Sequence, residues 1–153
     1  MFANLVVPDF AAEAVSLSGV VLNRAPGTLT GPADALAGVV PIVPTADRDF
    51  SRADRVEAFV RVCQGGAKPP VAQSLVITIR NEQGGTDERE RRTIEPGAFT
   101  TIEGVGADRS PLYTADVSYL LPLTGLAAGA HLLTFDATSG ATVLTRAVRF
   151  VVR

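Results

Sequence analysis

The sequence predicts an all-β chain folded as an antiparallel β-sandwich of about seven strands, and three observations carry that reading. Apolar and polar residues alternate: Tyr113, Ala115, Val117, Tyr119 and Leu121 against Thr114, Asp116 and Ser118, and His131, Leu133, Phe135 and Ala137 against Thr134 and Asp136. A two-residue period sets each apolar group on one face of a strand. Turn residues recur between the segments, as at Gly65-Gly66, Gln83-Gly84-Gly85, Thr124-Gly125 and Ser139-Gly140. Finally, no stretch supports a helix longer than one turn; residues 33–37 and 126–128 are the helix-friendly pieces.

Taken in order, residues 1–12 contain the apolar run Leu5-Val6-Val7 ended by Pro8, and they read as a linker or as the end of a preceding domain. The sandwich then occupies residues 13–153. Its first strand is expected at 16–22, followed by a proline- and glycine-bearing loop over 23–47. Such long loops on a rigid scaffold are where binding usually resides. A short edge piece at 49–51 leads to a second strand over 54–64, with Val56, Ala58, Val60 and Val62 on one face and Phe59 and Cys63 on the other beside Glu57 and Arg61.

Residues 74–81 put Leu75, Ile77 and Ile79 inward, and residues 88–94 return as a strongly charged strand suited to a sheet edge, where charge discourages pairing with other molecules. A second long loop, 95–111, precedes the last three strands. The turn at Thr124-Gly125 suggests that residues 117–135 form a hairpin, and Pro122, Gly125 and Gly129 break this uncharged stretch, which argues against a membrane span. The final strand carries Leu144, Val148, Phe150 and Val152.

Composition narrows the function classes. A chain of 153 residues suits one domain with a substantial core, and a net charge of −2 removes the basic footprint expected of a nucleic-acid binder. One cysteine, Cys63, permits no intramolecular disulfide and no multi-cysteine metal site. The N-terminus does not read as a signal peptide, since Asp9 and Glu13 interrupt it.

Several candidates for chemistry give way to structural readings. Cys63 and His131, the sole residues of their types, would make a nucleophile–base pair, but in a sandwich they fall on strand ends roughly 20 Å or more apart. Asp47, Asp49 and Asp54 could gather calcium, yet Arg48, Arg52 and Arg55 alternate with them and point to local ion pairing. The run at 87–92 reads as a solvated edge. Gly104-Val105-Gly106 lacks the strand and helix that a phosphate loop requires. Phe99, Tyr113 and Tyr119 are the aromatics that could stack on a sugar, with Tyr119 reading as buried. No catalytic residue, metal ligand or cofactor is therefore expected.

Residues 7–10 (VPDF), 16–22 (SLSGVVL), 44–66, 118–135 and 146–153 (RAVRFVVR) resemble the C-terminal region of large von Willebrand factor A-related proteins of acidobacteria. The resemblance implies an immunoglobulin-like or fibronectin type III-like terminal module on an exported or envelope-associated protein, with a protein as its partner. It transfers no functional residue. The metal-ion-dependent adhesion motif Asp-x-Ser-x-Ser is absent, since residues 49–53 match only its first three positions, and Cys63 stands where an aromatic is more typical. His131 falls at the corner entering the penultimate strand, where tyrosine is common and the side chain bonds back to the preceding loop. The resulting expectation is a non-catalytic module for protein interaction or spacing, with a carbohydrate-binding module as the alternative.

Overall fold

The computed structural model describes residues 9–25, 38–105 and 108–153. Period-two alternation resolves into two sheets. In the first, β1 (Ser16–Leu17) and β2 (Val21–Ala25) lie end to end along β4 (Arg55–Gly65), followed by β8 (Leu112–Leu120) and β7 (Thr100–Ile102). The second runs β3 (Asp49–Phe50), β10 (Thr142–Val152), β9 (Gly129–Ser139), β5 (Gln73–Asn81) and β6 (Thr86–Ile94). The pairings are antiparallel except that of β3, which lies parallel to β10. Seven of these strands have five or more residues, so the expected sandwich is present with three short additions. The described helices are two single turns of 3-10 type.

The core lies between the sheets and follows the predicted alternation. Val56, Ala58, Val60 and Val62 of β4 meet Leu75, Ile77 and Ile79 of β5 and Leu133, Phe135 and Ala137 of β9 in one buried cluster. Phe50, Phe135 and Phe150 are almost fully buried, each worth about 1.5–3 kcal/mol relative to exposure. Gly65 ends β4 where the chain passes close by: a Cβ there would stand 2.2 Å from the Ala11 carbonyl oxygen. Between β9 and β10 the loop is Gly140-Ala141, with Gly140 at φ 59°, so the predicted Ser139-Gly140 turn is a tight hairpin with glycine supplying the left-handed residue.

The structure corrects four expectations. The first strand is broken, because the Ser18 hydroxyl takes the Arg61 N–H at 2.9 Å in place of a main-chain carbonyl. Pairing then slips by one residue between Leu17↔Val62 and Val21↔Phe59. This slip puts both Leu17 and Leu22 into the core although an odd spacing separates them. Residues 117–135 do not form a hairpin: β8 pairs with β4 and β7, whereas β9 belongs to the opposite sheet. Their connection crosses the end of the sandwich, with Leu121, Leu123 and Leu126 buried beneath it.

Neither long loop has its expected bounds. Residues 23–25 belong to β2, and the second loop contains a 3-10 turn at Pro96–Ala98 and strand β7. Single-turn helix forms at Leu123–Gly125 rather than at 126–128. The run Leu5-Val6-Val7, residues 26–37 of the first loop, including the helix-friendly 33–37, and Gly106 lie outside the described residues. The charged strand β6 does form an edge of the second sheet, as its sequence predicts.

Candidate functional site

The most chemically furnished place in the described residues is the corner where β8 hands over to β9. His131 begins the inward-facing row of β9, 4% exposed, and its ring stacks on Phe150 with centroids 5.4 Å apart. Nε2 lies 2.9 Å from the Ala127 carbonyl oxygen. A carbonyl only accepts, so Nε2 carries the proton. This is the back-bond to the preceding loop expected from the corner position.

The other ring nitrogen meets a carboxylate that the sequence assigned to a solvated edge. Pairing between β5 and β6 shifts from Ile79↔Glu88 to Arg80↔Thr86, leaving Asp87 unopposed. The resulting bulge turns Asp87 toward the corner, and its Oδ2 stands 3.1 Å from His131 Nδ1. Nδ1 makes no hydrogen bond, so the Asp87 carboxylate stands beside it as a neighbouring charge. Asp87 Oδ1 accepts from Asn81 Nδ2 at 2.9 Å, and Asn81 Oδ1 accepts from Gly85 N–H at 2.8 Å. Loop, bulge and turn are thereby tied to one imidazole. Asn81, Glu82, Ala130, His131, Leu132 and Arg149 line an open concavity of ≈ 310 Å³ beside it.

A histidine acting as general base needs a ring nitrogen directed at a nucleophile. Here Nε2 is committed to Ala127 and Nδ1 faces Asp87. Cys63 lies elsewhere: β3, paired with the end of β10, marks the His131 end of the sandwich and leads directly into the start of β4, whereas Cys63 is near the far end of that strand. The distance along β4 from Arg55 is about 26 Å at ~3.3 Å per residue. Burial pushes the Cys63 thiol up from its ordinary pKa, with the neighbouring Ser16 and Arg61 acting in the opposite sense, so the reactive thiolate is disfavoured.

The acidic cluster at the start of β4 is paired, though not with the expected arginines. Arg24 reaches Asp54 at 3.1 Å and Asp47 at 3.4 Å, and Arg153 reaches Asp49 at 2.7 Å. Arg48 instead donates to the carbonyls of Thr45 and Asp47. Asp54 also accepts the Ser51 N–H. Among the described residues no group of three or more acidic, histidine or cysteine side chains is arranged to hold a metal.

Arginine closes the seam between the sheets as well. Arg92 of β6 donates to the Ser118 carbonyl at 2.6 Å and lies over the Tyr119 ring at 5.6 Å. Tyr119 is buried, and desolvation, then the nearby Glu88 and Glu90, raise its pKa, with Arg92 acting in the opposite sense. Tyr113 and Phe99 are half-buried, so of the three aromatics considered for sugar stacking none is fully exposed. No described helix is long and apolar enough to cross a membrane.

Neither a family model nor a curated protein sequence matches the chain. Among solved structures, the C-terminal domain of Wzt superposes with a TM-score of 0.50 at 10% identity, over 94% of this chain and 75% of that one. At that identity the likeness is one of fold alone. A β-glucosidase involved in saponin metabolism from intestinal bacteria matches with a TM-score of 0.45 at 14% identity over 91% of this chain. A family 123 glycoside hydrolase from Clostridium perfringens matches with a TM-score of 0.37 at 10% identity over 89% of it. This chain spans 16% and 27% of those two enzymes, and they carry no argument about its activity.

Proposed function

We propose that this chain is a non-catalytic, immunoglobulin-like sandwich acting as an accessory module of a larger exported protein, in protein–protein interaction or as a spacer. The observation that carries the non-catalytic part is the state of His131. The one imidazole of the chain is buried, proton-committed to the Ala127 carbonyl and backed by Phe150. Its geometry is that of a corner fastening. The immunoglobulin-like reading draws support from the strand order, in which β3 runs parallel beside β10 at one edge and, after β4, the chain changes sheet between β4 and β5, between β6 and β7 and between β8 and β9. Placement at the end of a longer von Willebrand factor A-related protein rests on the resemblance of residues 118–135 and 146–153 to that family's terminal segment.

Two measurements test this reading. His131→Ala should lower the melting temperature without abolishing any hydrolytic turnover found in the chain; turnover lost in a variant that melts like the wild type would make His131 catalytic. Cross-linking the intact chain in a bacterial envelope extract, followed by rebinding of purified candidates, should return a protein. Failure of every purified candidate to rebind leaves the spacer role, and rebinding of a glycan alone overturns the protein-interaction reading.

A further inference from the structure

The outward-facing side of the second sheet carries an unusual charge arrangement. Register places the residues of this face in rows: Arg149 opposes Leu132, which opposes Arg80; Ala147, Thr134, Thr78 and Arg89 form the next row; Thr145, Asp136, Val76 and Arg91 the one after. Four arginines thus share one face, and all four are exposed. Among the described residues, none of the four side chains makes a hydrogen bond, ion pair or ring contact. The single carboxylate within these rows, Asp136, accepts from the Thr145 hydroxyl at 2.5 Å. Elsewhere Arg24, Arg61, Arg92 and Arg153 all have acidic partners.

We infer that this face docks an extended acidic segment of a partner protein. The inference rests on the interaction-module reading above and names its partner class. Rows on one face of a sheet repeat at about 6.6–6.8 Å, so Arg89 and Arg91 of β6 stand one such repeat apart. Carboxylates at every second residue of an extended chain repeat at the same pitch. Arg80 lies one strand and one row from Arg89, and Arg149 two strands beyond Arg80, which continues the positive strip diagonally toward β10. Between the arginines the face is low and hydroxyl-bearing, with Thr78 and Thr134 buried, and no aromatic occurs in these rows on which a sugar ring would stack. In a chain of net charge −2, so local a positive strip steers an anionic partner to one surface.

The test uses the full chain and a fluorescein-labelled peptide of alternating glutamate and serine, followed by fluorescence anisotropy at low and physiological salt. Arg89→Glu with Arg91→Glu should weaken binding about tenfold or more, whereas Arg52→Glu with Arg55→Glu, the same charge change off this face, should alter it less than about twofold. Circular dichroism of both variants guards against loss of fold. Equal weakening by both pairs, or no binding by the wild type, overturns the acidic-segment inference and leaves the module reading intact. Stronger binding to polygalacturonate at equal charge, lost in the Arg89/Arg91 pair, overturns the protein partner and with it the interaction reading.

Discussion

The outer faces of the two sheets use arginine in opposite ways. On the first sheet Arg61 of β4 sits directly opposite Asp116 of β8 and grips it with two bonds, Nε to Oδ1 at 2.6 Å and a terminal nitrogen to Oδ2 at 3.0 Å. That bond, ahead of a weaker opposing effect of burial, holds the Arg61 guanidinium more firmly protonated, and its carbon lies 5.8 Å from the centre of the Phe59 ring. On the second sheet Arg80, Arg89, Arg91 and Arg149 face solvent with no acidic residue opposite them. Residue type therefore does not separate a structural cation from one available to a partner. The residue across the ladder does.

Because both faces rest on one core, the largest expected effect erases the comparison altogether. Phe135→Ala, at a fully buried site between the sheets, should lower unfolding free energy by about 3–5 kcal/mol in urea titrations. His131→Ala comes next, at about 2 kcal/mol, since it removes a buried hydrogen bond and a stacked ring together. A loss below ~0.5 kcal/mol would mean that the corner is held by Leu123 and Leu126 alone.

The comparison itself is sharpened by Arg61→Ala beside Arg89→Ala. The paired arginine should cost about 0.5–1 kcal/mol, and the unpaired one less than ~0.5 kcal/mol. Equal losses would show that the Asp116 bridge contributes nothing measurable.

Smaller still is the alkaline response of the buried acids. Cys63 and Tyr119 both hold their protons more tightly folded than unfolded. Their contribution is complete below the ordinary pKa values of 9.0 and 10.0 and fades as pH rises through the folded-state values. Tyr119→Phe should flatten the stability loss seen above pH 10 by comparison with the wild type.

Alternation along β4, β8 and β9 was legible in the sequence because it depends on local period alone, and so was the charged edge β6. The corner role of His131 was legible from its place before an apolar strand. Which sheet a strand joins was not: the Thr124-Gly125 turn looks like a hairpin, and only the burial of Leu121, Leu123 and Leu126 makes it a crossover. The two register slips escaped for a related reason. Ser18 breaks a strand by substituting its hydroxyl for a carbonyl of the ladder, and Asp87 becomes the partner of His131 only once a bulge forms. Ion pairs joining Arg24 to Asp54 and Arg153 to Asp49 connect residues distant in the chain, so the nearby Arg48, Arg52 and Arg55 were the natural but incorrect partners. The arginine face appears only when β5, β6, β9 and β10 are laid side by side, because no local motif contains more than two of its four members.

The most direct test of the contrast between the faces is a nitrogen-15 chemical-shift titration of the whole chain with the glutamate–serine peptide. The account predicts movement of the backbone and side-chain resonances of Arg80, Arg89, Arg91 and Arg149 and of the threonines between them, with Arg61, Asp116 and the rest of the first sheet still. Shifts centred on the first sheet, or spread evenly over both faces, would contradict it.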